Sequence, residues 1–150
     1  MVTFPPEALR VAIAHCEAAY PNEGCGVFIE EREGAIVARP MVNAIDRYHA
    51  RDPARFPRTA RTAYMFDPRE QLEVFDGAEV AGARVVAIFH SHADVGAYFS
   101  DEDRHMALAE GKPLLPGVDY VVISIRRRAD DLLVFRWSNG DFICETISLP

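Results

Sequence analysis

Two histidines one residue apart, His90 and His92, are followed by Ser100 and, eleven residues after the second histidine, by Asp103. Two neutral imidazoles and one carboxylate make up the three protein ligands of a catalytic zinc site, with the fourth position left to water. Residues two apart on a strand point to the same face, so extended backbone at this point presents both imidazoles to one side. Asp103, one turn into a following helix, is the natural third ligand. Much earlier, Glu23 stands in Pro21-Asn22-Glu23-Gly24-Cys25-Gly26. A carboxylate there is suited to take a proton from a metal-activated water and to deliver it to a leaving amine. The Ser100 hydroxyl is then available as a donor to a developing oxyanion. The chemistry these residues describe is hydrolysis of an amide bond with one zinc ion per chain.

Each residue also has a plainer reading. An isolated His-x-His can be two hydrogen-bonded histidines at a strand end. Ser100 followed three residues later by an acid is close to a capping box, and Asp101 and Glu102 add favourable charge at that helix start. Glu23 can be a solvated loop acid. Capping, however, explains neither the histidines nor their closeness to an acid-rich helix start, and the tandem favours the metal.

The elements that must hold these residues follow from the pattern. Pro5 and Pro6 open a helix over 6–19 with Leu9, Ala12, Ile13, Cys16 and Tyr20 on its buried side, ended by Pro21-Asn22. Strands are expected over 25–30 and 35–42 about a turn at 31–34, with Asn43 directly after. Tyr64 to Phe66 reads as a short strand. Asp67 as N-cap and Pro68 at the first helical position start a helix over 68–80, with Leu72 and Phe75 on one face. Residues 84–90, Arg-Val-Val-Ala-Ile-Phe-His, form an apolar β-rich run suited to burial on both faces, and the histidines arrive at its end. Ser100 opens a helix to about Glu110, closed by Gly111 and Pro113. Strands over 120–126 and 132–137, with a turn at 129–131, lead through Asn139-Gly140 to a last strand over 142–149. Helices interleaved with strands, then a terminal meander, give an α/β fold: one domain over 1–150 with a mixed sheet flanked by helices.

Composition sets outer limits. At 150 residues, 49% apolar and 26% charged, the chain has the balance of a soluble globular protein. The longest apolar run, Val85 to Phe89, is too short to cross a bilayer, and Met1 to Pro6 shows no secretory pattern, so a cytoplasmic location is expected. Three widely spaced cysteines, Cys16, Cys25 and Cys144, argue against a disulfide framework, and Cys25 reads as a buried strand residue rather than a nucleophile. A net charge of −7 disfavours nucleic acid and anionic membrane as partners. Against that background, residues 46–63 carry five arginines, Arg47, Arg51, Arg55, Arg58 and Arg61, with two aspartates. This stretch has two prolines and no apolar periodicity, and reads as a surface insertion of functional length. Arg126-Arg127-Arg128 reads as a solvated strand end.

His90-Ser91-His92, seven residues, Ser100, two residues and Asp103, preceded by Glu23 beside a Cys-Gly pair, resemble the JAMM (MPN+) zinc metalloprotease motif. The resemblance extends to Asn43, the Asp67-Pro68 helix start and the closing strands. It implies a fold similar to that of cytidine deaminases, with His90, His92 and Asp103 on zinc, Glu23 as general acid/base and Ser100 stabilising the tetrahedral intermediate. The implied substrate is a peptide or isopeptide bond just after the C-terminus of a ubiquitin-like protein, including sulfur carrier proteins in small prokaryotic members. The arginines of 46–63 would then grip an acidic surface or the extended tail of that partner. Two departures stand out: Ala93 and Phe99 occupy positions where many members have proline, which is expected to loosen the loop between them. The rival functions are a non-catalytic MPN-type binding scaffold and a two-histidine, one-carboxylate iron enzyme. Homo-oligomerisation is left open.

Overall fold

The computed structural model describes residues 2–150. Pro6, whose missing N–H is of no consequence in a first turn, starts α1 (Pro6–Ala19). The helix buries Ala8, Leu9, Ala12 and Cys16, while Ile13 and Tyr20 pack at the edge of the same core. Strands β1 (Cys25–Glu30) and β2 (Ile36–Met41) form the expected hairpin. Between them and the next expected helix the structure departs from the sequence pattern. The first part of 46–63 is helical, as α2 (Ile45–Arg51), and the segment is anchored by buried Ile45 and Ala60. Its anchors are single residues rather than a periodic stripe, so periodicity misses them. The Asp46 carboxylate accepts from the Ala60 N–H at 2.7 Å, folding the segment back on itself.

Tyr64 to Phe66 contributes one bridge, Asn43 to Phe66, rather than a strand. Helix α3 (Pro68–Val80) begins as expected, with the Asp67 side chain accepting from Arg69 N. Its inward residues are Val74 and Ala78, four apart on one face; Leu72 is exposed and Phe75 half-buried. Strand β3 (Arg84–Ala93) runs through both histidines. Helix α4 (Asp101–Ala107) is shorter than its periodicity suggests. Glu110 and Gly111, both at positive φ, instead make a tight turn joining β4 (Leu108–Ala109) to β5 (Lys112–Pro113). Strands β6 (Asp119–Arg126) and β7 (Arg128–Ser138) meet at Arg127 rather than at 129–131. Asn139-Gly140, at φ 50° and 88°, leads to β8 (Asp141–Thr146).

Six strands form one mixed sheet in the order β2-β1-β3-β6-β7-β8, with β3 and β6 parallel and every other pair antiparallel. One face of the sheet packs on α1 through Phe4, Phe28, Phe89, Val121, Ile123 and Leu132. The other packs Val27, Met41, Ile88 and Val122 in one cluster with Val74 of α3 and Ala107 of α4. A mixed sheet between helices is the expected fold class. Gly26 is required where β1 crosses β3, because a Cβ there would lie 2.4 Å from both the Arg39 carbonyl oxygen and the Phe89 ring. No helix of the described residues is long and apolar enough to cross a membrane.

Candidate metal centre

The parallel pairing of β3 with β6 carries the chain straight through His90 and His92, whose registers are Val122 and Ser124. Extended backbone puts both rings on the α3/α4 face, and their Nε2 atoms lie 3.1 Å apart. Helix α4 brings Asp103 to them: Oδ1 is 3.2 Å from His90 Nε2 and Oδ2 3.3 Å from His92 Nε2. Around an ion with bonds of about 2.0 Å, tetrahedral ligands are about 3.3 Å apart. Two buried imidazole nitrogens at that spacing, with one Asp103 oxygen against each and the Glu23 carboxylate beside them, offer a donor set of the kind zinc takes.

Ser100 caps α4 and faces the same space. Its Oγ accepts from Asp103 N at 3.0 Å, and its own N–H donates to Asp103 Oδ2 at 3.0 Å, a reciprocal capping box. Capping thus fixes the Asp103 carboxylate against the histidines. It consumes an acceptor site on the Ser100 oxygen and leaves the hydroxyl hydrogen free to donate. The structural and functional readings of this pair are compatible, since one geometry serves both.

Glu23 arrives from the turn before β1. Its carboxylate and the two histidine nitrogens lie within 4.8 Å of one another, and the residue is buried. Ser91, the residue between the histidines, holds this turn in place: Gly24 N donates to Ser91 Oγ at 2.8 Å and Ser91 N donates to the Gly24 carbonyl at 2.9 Å. Gly24 has no room for a side chain, since a Cβ would meet the Cys16 Cα at 2.9 Å. From the other side, Asn43 Nδ2 donates to the carbonyls of Glu23 and Ala63, both at 3.0 Å, while its Oδ1 accepts from Ile45 N and Met65 N. Glu23 N donates to the Ala60 carbonyl. The backbone of Glu23 is held by β3, Asn43 and the arginine segment together.

The electrostatics follow from burial and from this convergence. Burial pushes the Glu23 carboxyl up to about 8, the nearby Asp103 charge adding to it. Burial also works against the Asp103 carboxylate, but the charges and hydrogen bonds of His90 and His92 outweigh it and hold that group well below the usual range. Burial lowers His90 despite Asp103. For His92 burial is opposed by Asp103, Glu23 and the Gly96 carbonyl, and the balance is upward. One carboxylate is kept ionised as a ligand must be, and its neighbour is poised to carry a proton.

Several residues that the sequence pattern does not single out complete the site. The Tyr64 ring stacks on His90, centroids 4.4 Å apart and planes 20° from parallel. Tyr98 meets His92 edge-on at 4.8 Å. The Gly96 carbonyl lies 3.2 Å from His92 Nδ1, an orienting contact that leaves Nε2 for a metal. No local motif marks these; each depends on contacts between distant segments. The loop from Asp94 to Phe99 is fastened without the prolines. Ala93 stays in the sheet, Asp94 N bonds the Ile125 carbonyl at 2.9 Å, and the Tyr20 hydroxyl donates to the Asp94 carboxylate. Phe99 stacks on Phe135 at 4.9 Å and touches Tyr120 and Phe142. Phe99, where many members have proline, is thus packed among three aromatic rings.

Glu23, His92 and Asp103 open into a cleft of about 330 Å³ between 55–65 on one side and the 93–98 loop and α4 on the other. Arg55, Arg58 and Arg61 line it. Arg47 and Arg51 do not: Arg47 pairs with Asp67 at 3.0 Å, and Arg51 is exposed at the end of α2. Arg58 reaches Glu102 of α4 at 3.4 Å across the cleft. Cys25 is fully buried in β1 and its thiol is pushed upward by burial, so it is no nucleophile.

Residues 5–138 match the family described as prokaryotic homologs of the JAB domain. A desampylase of Haloferax volcanii is 28% identical over 124 residues, 81% of this chain and 74% of the relative. Solution structures of proteins from Desulfitobacterium hafniense (TM-score 0.70, 24% identity) and Salinibacter ruber (TM-score 0.61, 23% identity) each cover 99% of this chain, with 92% of their own length matched, and share its fold. The chain belongs to the prokaryotic homologs of the JAB domain, in agreement with the JAMM-type motif in its sequence.

Proposed function

We propose that this chain is a zinc-dependent hydrolase that cleaves a peptide or isopeptide bond at the C-terminus of a ubiquitin-like or sulfur carrier protein. The observation that carries the reading is the convergence of His90, His92 and Asp103 at 3.1–3.3 Å beside buried Glu23, at the floor of a cleft. The desampylase relative supports the substrate class, since its name is that of an enzyme that removes a small modifier protein.

His90, His92 and Asp103 would hold the ion. Zinc supplies a Lewis acid that polarises a carbonyl and lowers the pKa of a water to about 7. Glu23 lies buried beside these histidines, where its carboxylate would be in place to exchange a proton with such a water. In that place Glu23 would take up a proton from the water and hand it to the departing amine, which would then leave neutral. Ser100 turns its free hydroxyl hydrogen toward the oxygen that gains charge, while its oxygen still caps α4. Arg55, Arg58 and Arg61 line the approach, where they can pair with carboxylates or carbonyls of an extended tail. Arg47 and Arg51 are left without a part in the cleft.

The test is elemental analysis of the purified protein beside His92→Ala and Asp103→Ala, followed by cleavage of ubiquitin-like conjugates with Glu23→Gln as the inactive control. Near-stoichiometric zinc that falls in both variants, with cleavage lost in Glu23→Gln while zinc is retained, is the expected outcome. Wild-type protein that neither holds nor takes up zinc rules the reading out, and a binding scaffold then leads.

A further inference from the structure

Beyond Ala93, the last residue of β3, the chain turns off the sheet at Asp94 with φ 66°. Most side chains avoid that left-handed region, and the short carboxylate of aspartate is among the few that tolerate it. The turn is tied down twice. Asp94 N donates to the Ile125 carbonyl of β6 at 2.9 Å, and the Tyr20 hydroxyl lies 2.9 Å from each oxygen of the Asp94 carboxylate. That hydroxyl comes from a fixed support, since Tyr20 is the C-cap of α1 and its ring packs against the core beneath the helix.

The two residues belong to different parts of the site. Tyr20 stands three residues before Glu23. Asp94 opens the loop that forms one wall of the cleft, lined by Ala93, Val95 and Tyr98. Val95 is 60% exposed and Tyr98 48%, so burial of the wall's own large side chains does little to hold it in place. The proposed ligands are secured by other means. His90 and His92 are held by the pairing of β3 with β6, and Asp103 by the capping box of α4. The hydrogen bond from Tyr20 to Asp94 therefore bears on the wall rather than on the metal cluster.

We propose that Tyr20 and Asp94 are positioning residues, whose hydrogen bond fastens the 93–98 wall of the cleft to the segment that leads into Glu23. Val95 and Tyr98 are then already in place when a substrate segment enters. This rests on the hydrolase reading above. A wall ordered in advance spares the cost of ordering it at binding, so the contact acts on substrate affinity and shows in KM.

The experiment compares the zinc-loaded wild type with Tyr20→Phe, Asp94→Gly, the double variant and Asp94→Asn. Cleavage of a ubiquitin-like conjugate, zinc content and hydrogen exchange of the 94–98 amides are measured on each. Tyr20→Phe removes a single hydroxyl, and Asp94→Gly removes the carboxylate while keeping the turn. Each is expected to raise KM about tenfold with kcat within about twofold of wild type and zinc content unchanged. Exchange of the 94–98 amides should quicken about tenfold in both. The double variant is no worse than either single one, because both lose the same bond. Asp94→Asn, whose amide oxygen accepts from the phenol and which tolerates the left-handed turn, restores most of the affinity. Unchanged KM in Tyr20→Phe, additive losses in the double variant, or zinc lost in parallel with KM overturns the proposal. Equal exchange of the loop in wild type and Tyr20→Phe overturns it as well, whether or not the protein cleaves. A wild type that neither holds zinc nor cleaves any conjugate overturns the hydrolase reading, and the role in substrate affinity with it.

Discussion

Ser91 Oγ accepts a hydrogen bond from Gly24 N at 2.8 Å, in the interior of the protein. The residue between the two histidines therefore fixes the turn that carries Glu23, and the proposed ligands and proposed base share one support. The distance between them is set by a sheet rather than by two independent loops. Ser91→Ala leaves the buried Gly24 N–H without a partner, a loss of about 1–3 kcal/mol. With the backbone of Glu23 released, kcat is expected to fall about tenfold or more while zinc content holds. Chemical denaturation, elemental analysis and steady-state kinetics check this together. Zinc lost in parallel with kcat would show that Ser91 supports the histidines instead.

Ser100 is expected to separate cap from catalysis. Ser100→Ala removes the cap of α4 and costs about 1 kcal/mol, whereas Ser100→Gly costs only a few tenths. Both remove the hydroxyl hydrogen, so both should lower kcat about a hundredfold or more. Equal losses of rate at unequal losses of stability are the expected signature. Rate losses that track stability reduce Ser100 to a cap.

Glu23 gives the metal-free protein a distinct pH dependence. Its folded pKa of about 8 exceeds the ordinary 4.5 because the carboxylate is buried. The folded state therefore binds the proton more tightly than the unfolded chain does. This contribution to stability is whole below about pH 4.5, declines as pH rises, and is gone above about pH 8. In Glu23→Gln nothing titrates at this position. After chelation, the variant should match wild type near pH 4 and exceed it near pH 8 by roughly 3–5 kcal/mol. Stability curves that stay parallel across the range would mean that Glu23 ionises normally.

Phe99 anchors the loop that ends at Ser100 through its contacts with Phe135, Tyr120 and Phe142. Phe99→Ala should lower stability by about 3 kcal/mol and loosen the start of α4. Chelator competition is then expected to show zinc held about tenfold more weakly, since Asp103 sits three residues into that helix. Unchanged zinc retention would show that α4 and its capping box are set without the aromatic anchor.

The sequence by itself determined the elements and the chemistry that local rules can express. Proline at N1 started α1 and α3 at the residues expected, Asn139-Gly140 made its turn, and the apolar run before His90 became the central strand. The spacing of His90, His92, Ser100 and Asp103 was legible because a strand with period two and a capped helix fix where such side chains project. What only the tertiary structure decided lies in contacts between segments far apart in sequence. Helix α2 and the buried Ala60 gave no periodic signal because single residues anchor them. The Tyr64 ring on His90, the Gly96 carbonyl behind His92 and the Asn43 clamp on Glu23 are long-range pairings, and a pattern read along one chain carries no information about which distant segment will be its neighbour. Which of the five arginines between 46 and 63 turn toward the cleft was settled the same way, by where α2 ends and the chain folds back over Glu23.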